Sequence, residues 1–559
     1  MQAGRSILNA GRSSSYQYMY SAALPPCHPL PVTTSSQLQR ATCKMGNAPA
    51  PGHYHLINLM RGWPNATLLP VELLREAANH ALSDPSIAHD GLFYGPDPGY
   101  EPARRAIAKW LTTFYQPSIP ITASRLNITG GASQNLGCIL QVYTDPEYTC
   151  NVWIVSPAYM LAFRIFEDAG FAGRMRSVPE DEEGLDIAFL RHEIKKSEKC
   201  ARKRDVNGPK YKGQRRGAKV YKHVIYCVPT FANPSSRTMS LARRQGLVRL
   251  ARDFDALVVP DDVYDFLQWS TNPEATNHSQ SAHLPRLVDI DREIDGGAER
   301  EGADGFGNTC SNGSFSKIAG PGLRCGWVEG TEKFAYGMSQ CGTTASGGAP
   351  SQLTSTYLTH LLETNQIQTH INTVLQPAYA SRYNLLIRAI EAHLLPLGFK
   401  LAQPGRDVVG GYFVWLSLPR GVTAPELAQR CKEDQELIIA PGPIFEVPGD
   451  RTPIHFDGHV RLCFAYVPEE DLVQGVARMS VVAQEMLDEQ RRVLTSGVGP
   501  PDPMIGMLAR KASASADLKE LMKVVAGGTA SQDDLKKFQR HVDTLKAERA
   551  SIGSAEEFK

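Results

Sequence analysis

From about residue 56 to 490 the chain alternates short apolar runs with longer stretches whose apolar residues recur every three or four positions. A strand covered on both faces reads as an unbroken apolar run, whereas recurrence every three to four residues puts one stripe on a helix. The runs predict strands over 126–129, 152–155, 223–228, 256–260, 314–316 and 325–328, and the stripes predict helices over 101–114, 240–254 and 351–363. A long helical stretch at 365–393 is followed by strands expected at 411–418 and 459–464. Strands and helices in alternation are the pattern of an α/β protein.

Beyond residue 495 the pattern changes. Gly497, Gly499, Pro500, Pro501 and Pro503 form a linker. Leu518, Leu521, Met522 and Val525 then share one helical face, and Gly527 and Gly528 end that helix. Ser531 and Asp534 open a second helix as a capping-box-like pair, ahead of Leu535, Phe538, Val542 and Leu545. Such a helical hairpin at 495–559 buries too little by itself. It is expected to dock on something, a partner protein included, or to stay partly unstructured.

The other end is equally distinct. No Asp or Glu precedes Glu72, and residues 1–45 are rich in Ser and carry Arg5, Arg12, Arg40 and Lys44. That composition resembles a mitochondrial transit segment. Pro25, Pro26, Pro29 and Pro31 interrupt any amphipathic helix there. The favoured expectation is an unstructured leader over 1–55, or a start at Met45, and a cytoplasmic protein, with the mitochondrion as the alternative compartment.

Composition excludes several classes. Across 559 residues, 59 Lys+Arg against 58 Asp+Glu leave a net charge of +1, so no general pull toward nucleic acid or anionic lipid is expected. No run approaches the roughly 18 apolar residues of a membrane span. The 11 cysteines include no C-x-x-C pair, which points to a reducing compartment and away from zinc. His455 and His459 in "HFDGH" read as part of a solvated turn. Between Lys195 and Lys222 there are 12 Lys/Arg against Glu198 and Asp205, with only Tyr211 and Tyr221 interleaved. A solvated surface insertion explains this better than a nucleic-acid patch.

The segment richest in chemistry runs from Ser314 to Trp327, with Lys317 after a predicted strand, Gly/Pro backbone behind it, and Arg324 seven residues on. A lysine held in a pocket has its pKa depressed, which frees the amine for Schiff-base chemistry. An arginine supplies the fork a phosphate dianion prefers. Upstream, Gly130-Gly131-Ala132-Ser133-Gln134 follows a strand and opens a helix, so its backbone N–H groups suit a phosphate. Asp261 and Asp262 follow the apolar run "ALVVP", and Tyr264 follows them.

These motifs, in this order, resemble the fold-type I pyridoxal-phosphate-dependent aminotransferases of class I/II. The lysine segment is similar to S-x-S-K-x-x-x-P-G-L-R-x-G. Tyr94-Gly95, Ser156-Pro157-Ala158-Tyr159, Asn233-Pro234, Asp261-Asp262-Val263-Tyr264 and Arg461 in "HVRLCFAY" match in turn. The likeness covers about residues 56–490 and is nearest the kynurenine/α-aminoadipate branch and its fungal relatives. It implies a large cofactor domain (91–365) with a seven-stranded, mostly parallel sheet and a smaller α/β domain (366–494). Residues 56–90 would join the smaller domain.

The resemblance also implies roles. Lys317 would carry pyridoxal 5'-phosphate, and Asp261, preferred over Asp262 by its offset from Tyr264, would keep the ring nitrogen protonated. Asn233 and Tyr264 would donate to the ring's phenolate oxygen, and Tyr159 would stack on the ring. Ser133, Gln134, Ser314 and Arg324 would surround the phosphate. Tyr94 would reach the phosphate of a second subunit in a homodimer. Arg461 would bind the substrate α-carboxylate, with Asn233 and Trp63 on the substrate side.

The sequence departs from the family where Asn233-Pro-Ser-Ser236 lacks a Gly, where Val263 stands for a frequent Pro, and where Trp63 replaces a smaller residue. The expected activity is transamination between an aromatic, kynurenine or 2-aminoadipate-type L-amino acid and a 2-oxo acid. A cysteine-conjugate β-lyase uses the same groups and is the alternative. A non-enzymatic cofactor-binding sensor is a third reading, disfavoured by the complete catalytic set.

Overall fold

The computed structural model describes residues 55–496 and 515–553, apart from 203–207, 214–216, 218, 273–280, 299, 403–406, 528 and 529. The expected leader (save residue 55), the linker at 497–503 and part of the basic insertion lie outside the described residues. Among the described residues, no helix is long and apolar enough to cross a membrane.

Among the described residues, seven main strands build the larger sheet, with two-residue Gly184–Leu185 added antiparallel to β3 at its edge: β1 (Leu126–Thr129), β2 (Asn151–Ser156), β3 (Met175–Asp181), β4 (His223–Cys227), β5 (Ala256–Pro260), β6 (Ser311–Ser314) and β7 (Gly326–Glu329). β3, β2, β4 and β5 run parallel in that spatial order. Parallel bridges Val258–Thr309 and Asp261–Asn312 join β5 to β6. β7 lies antiparallel between β6 and β1, so only one of the seven is reversed. Side chains alternate faces along each strand. On one face Val152, Ile154, Val224 and Leu257 pack with Leu136 and Ile139 of helix α2 (Ala132–Tyr143). On the other, Trp153, Ile225 and Val258 pack with Leu247, Val248 and Ala251 of helix α3 (Leu241–Asp253). The Ser240 hydroxyl caps α3, accepting from the Arg243 N–H.

The predicted strand at 314–316 falls elsewhere. β6 ends at Ser314, and Phe315–Lys317 forms a 3-10 turn. The cause is local: the Ser314 hydroxyl accepts the Ser316 N–H at 3.1 Å, an alternative to the sheet ladder. β3 was not expected, because Arg176, Pro179, Glu180 and Asp181 hide its apolar residues.

In helix α1 (Glu101–Tyr115), Ala103, Ala106, Ile107, Trp110, Leu111 and Phe114 form the buried stripe that the sequence spacing predicts. Trp110 stacks on Phe266 at 4.1 Å, and both Trp110 and Trp327 contact Phe315, two residues before Lys317.

The stretch expected as helix at 365–393 is interrupted at Ile371–Leu375 by a wider turn before α4 (Gln376–His393). Pro377, which has no N–H to donate, stands at the start of α4. Strands β8 (Phe413–Ser417) and β9 (His459–Cys463) pair antiparallel, with Trp415 opposite Arg461. Helix α5 (Glu469–Ser496) follows. Ile57–Asn58 pairs with Leu437–Ile438, tying the first described residues to this region. His459 opens β9 and stacks on Trp415 at 5.3 Å, while His455 is exposed beside Glu446.

In the tail, α6 (Ala516–Ala526) and α7 (Gln532–Gly553) form. Ser531 and Asp534 exchange capping hydrogen bonds. Leu545 packs with Met522, Phe538 and Val542.

Candidate active site

The site sits where the carboxyl ends of β5 and β4 meet the turn after β6 and the start of β9. Open α/β sheets place ligands at strand carboxyl ends because the loops there diverge. Lys317 projects from the turn after β6, and its amine donates to the Gly62 carbonyl at 2.8 Å. Its Nζ lies 5.9 Å from the Tyr264 ring centroid and 5.2 Å from that of Tyr412. Burial pushes the amine down to about 8, with Arg461 adding to the depression while Cys463 and Asp261 oppose it. The Tyr412 hydroxyl also donates to the Lys317 carbonyl at 3.0 Å, so the residue is held at its backbone.

Asp261 lies just past β5. Burial pushes its carboxyl up to about 6, against a hydrogen bond from Tyr226 and the charge of Lys317. The Tyr226 hydroxyl donates to Oδ2 at 3.0 Å, and Oδ1 is buried with no hydrogen-bond partner among the described residues. Asp262 turns the other way. It accepts from Ser311 at 2.6 Å and sits among Asp265, Arg286 and Arg244 in a buried ionic cluster. Of the two carboxylates, only Asp261 acts on Lys317.

Arg461, on β9, is 2% exposed. It donates to Asn233 Oδ1 at 2.7 Å and to the Met60 carbonyl. Its guanidinium lies 4.1 Å from the Phe413 ring centroid and 4.9 Å from that of Phe445. Nε is buried without a partner, and among the described residues no carboxylate pairs with the group. Burial therefore pulls its pKa down to about 10. A buried cation lacking an anion is costly unless a ligand brings one. Asn233 Oδ1 is occupied by Arg461, which orients the amide and leaves its NH2 free to donate.

Tyr264 and Tyr159 border the same space. Burial pushes the Tyr264 phenol well up and the Tyr159 phenol to about 12, so both remain hydrogen-bond donors at neutral pH.

A second cluster forms at the start of α2. Gly131 adopts φ 94°, the left-handed region that favours glycine. A Cβ there would stand 2.9 Å from Arg324 Nη2. Arg324 Nη2 donates to the Gly130 carbonyl at 2.6 Å, and Gln134 Oε1 accepts the Gly130 N–H at 3.0 Å. Ser133 and Arg324 are exposed, whereas Ser314 is buried with its hydroxyl turned to Ser316 at 2.8 Å.

Trp63 is 47% exposed at the mouth, edge-on to Tyr466 at 5.7 Å. Tyr94 is 88% exposed, flanked by exposed Leu92 and Phe93.

The residues fit an aromatic aldehyde phosphate. Asp261 offers an unpaired buried oxygen for a protonated ring nitrogen, Lys317 a softened amine, and the Gly130–Gly131 turn with Arg324 a close backbone approach for an anion. Tyr226, Tyr412 and the Gly62 carbonyl take part without having been singled out in the sequence.

Comparison with known proteins agrees. The sequence matches the family described as "Aminotransferase class I and II" over residues 56–479. An uncharacterized protein of Saccharomyces cerevisiae is 34% identical over 77% of this chain and 97% of its own length. The "Aromatic-amino-acid aminotransferase 1" of Thermococcus litoralis is 27% identical over 77% of this chain and 88% of its own. A crystal structure of the Pyrococcus horikoshii kynurenine aminotransferase superposes with a TM-score of 0.61, 26% identity, and coverage of 78% of this chain and 92% of that one.

Proposed function

This chain belongs to the class I and II aminotransferases, and from that premise we propose that it is a pyridoxal-phosphate-dependent transaminase. It moves the amino group of an aromatic, kynurenine or 2-aminoadipate-type L-amino acid to a 2-oxo acid. The observation that carries the reading is the trio of Lys317, Asp261 and Arg461: a depressed amine, a carboxylate with a free buried oxygen and a buried guanidinium without an anion.

When bound, pyridoxal phosphate supplies an electron sink that acidifies the Cα–H of the amino acid joined to it. Asp261 keeps a proton on the ring nitrogen, and burial strengthens that ion pair. Tyr264 and the Asn233 NH2 would donate to the cofactor's phenolate oxygen, and Tyr159 would pack against its ring. The Gly130–Gly131 turn, Ser133 and Arg324 take the phosphate. Arg461 grips the α-carboxylate and thereby aims the Cα–H at Lys317. With the cofactor bound, the Lys317 amine would take the proton from Cα and later return one, a task suited to a pKa of about 8. One Arg461 serves the amino acid and the 2-oxo acid in turn.

The exposed row Leu92-Phe93-Tyr94 is covered, in this reading, by a second copy of the chain, with Tyr94 serving the partner's phosphate site.

Lys317→Ala tests the assignment. Purified variant should show no amino-group transfer and none of the absorbance of a cofactor bonded to the lysine. Normal turnover by that variant would refute the reading.

A further inference from the structure

Cys138 lies on α2, the helix that opens at the Gly130–Gly131 turn, and Cys341 stands just before a short helical turn at Gly342–Ala345. Both are free thiols. Though distant in sequence, their sulfurs meet around one hydroxyl: Thr343 Oγ1 is 3.9 Å from Cys138 Sγ and 3.5 Å from Cys341 Sγ. A side-chain hydrogen bond also joins the two sulfurs directly. The Cys138 thiol, the Thr343 hydroxyl and the Thr343 and Thr344 N–H groups pull the Cys341 thiol below its ordinary range against burial, while the bond between the sulfurs pushes Cys138 up. A thiolate beside a thiol that keeps its proton suits attack on an oxidant followed by resolution. Burial instead pushes up the thiols of Cys227, Cys310, Cys325, Cys431 and Cys463, which favours inertness.

An oxidant has a way in. Cys138 lines a partly open cavity of about 250 Å³ together with Asn127, Thr129, Asn135 and Thr344. Both amide atoms of Asn127, Thr129 Oγ1 and Asn135 Oδ1 are buried there without a hydrogen-bond partner among the described residues. Unpartnered polar atoms favour a small polar guest, water or a hydroperoxide of similar chemistry. Gln134 then links the pair to the phosphate turn. Its Nε2 donates to Cys138 Sγ at 2.9 Å, and its Oε1 accepts the Gly130 N–H at 3.0 Å. A Cys138 sulfur drawn toward Cys341 takes that acceptor from Gln134, and the turn loses a brace.

We propose that Cys138 and Cys341 are a reversible oxidation site, closed to a disulfide by a hydroperoxide, and that closure loosens the hold of the Gly130–Gly131 turn on the cofactor phosphate. The Cys341 sulfur attacks one peroxide oxygen, the O–O bond breaks, and a sulfenic acid and one water form. The Cys138 sulfur then attacks that of Cys341: the S–S bond forms, the S–O bond breaks, and the hydroxide leaves as water with the Cys138 proton. Two thiols give up two electrons, and hydrogen peroxide becomes two waters. The disulfide stands independently of the reaction, whereas its effect on the cofactor rests on the transaminase reading above.

Wild-type, Cys138→Ser and Cys341→Ser holoenzymes are treated with hydrogen peroxide, their remaining thiols are alkylated, and the digests are mapped by mass spectrometry. Wild type should yield a cross-linked peptide pair containing Cys138 and Cys341 that dithiothreitol separates. The rate at which cofactor leaves the oxidised holoenzyme should rise about tenfold, as for the loss of one hydrogen-bonded brace, and should return to its starting value with dithiothreitol. Peroxide should leave that rate unchanged in both variants. Absence of the 138–341 link, or an equal acceleration in either variant, would overturn the site. A link with an unaltered release rate would overturn its coupling to the phosphate turn. Wild type that binds no pyridoxal phosphate would instead sink the transaminase reading, and the peptide map still decides the disulfide.

Discussion

Arg461→Lys makes the sharpest test of how the site anchors a substrate. The guanidinium is 2% exposed and has no anionic partner among the described residues, and burial lowers its pKa to about 10. A fall of that size from the ordinary guanidinium range puts the cost of keeping that charge on the order of 3 kcal/mol. The group stays protonated at neutral pH, so the cost is borne until a carboxylate arrives. Pairing that returns about 3 kcal/mol is worth roughly a hundredfold in binding. Lysine preserves the charge but loses the fork, along with the geometry toward Asn233 and Met60. The assay is the ratio of kcat/KM for L-phenylalanine to that for phenethylamine, which lacks the α-carboxylate. Partial misfolding lowers both numbers and cancels. Because lysine keeps the charge and forfeits one bond of the fork, the ratio should drop by about tenfold in Arg461→Lys. A change below about threefold, well short of two charge-assisted hydrogen bonds, would refute the anchoring role.

Three further outcomes follow from the same geometry. The folded-state pKa of Asp261 is raised from 3.8 to about 6, so its charge destabilises the cofactor-free protein once pH exceeds 3.8, and fully above about 6. Asp261→Asn should therefore stabilise the cofactor-free protein at pH 8 by up to about 3 kcal/mol, read as a raised denaturation midpoint, while speeding cofactor loss from the holoenzyme; a variant no more stable than wild type would contradict the burial argument. Gly131→Ala meets both φ 94° and the 2.9 Å approach to Arg324. Its cofactor Kd should rise about tenfold in a fluorescence titration, and an unchanged Kd would show that the turn is not where the phosphate sits. Finally, the Lys317 amine is lowered to about 8, so cofactor uptake by the cofactor-free protein should speed up about tenfold per pH unit below 8 and level off above it. Stopped-flow absorbance checks this, and a pH-independent rate between 6 and 8 would refute it.

Much of the architecture was legible because buried strands write themselves as apolar runs. The strands at 126–129 and 256–260 begin and end where the sequence places them. The site motifs are legible because glycine turns, an Asp after an apolar run and a Lys before Gly/Pro backbone each demand a particular backbone. Tyr226 was not, because it sits in the run "HVIYC" and reads as core until the fold brings it 3.0 Å from Asp261. Tyr412 and the Gly62 carbonyl were hidden for the same reason, since their contacts with Lys317 span 95 and 255 residues. The choice between Asp261 and Asp262 rested on a motif offset. The structure adds a physical ground: Asp262 belongs to the ionic cluster behind the sheet, with Arg244 and Arg286.

The hydroxyl of Tyr412, next to β8, grips the main chain of Lys317, and β8 is zipped to β9, which carries Arg461. When the amine at 317 lets go of one partner to act on another, only its methylenes can swing; the peptide stays pinned. Each cycle thus returns the nitrogen along one arc. The pin is fastened to the same pair of strands that carries the Arg461 guanidinium.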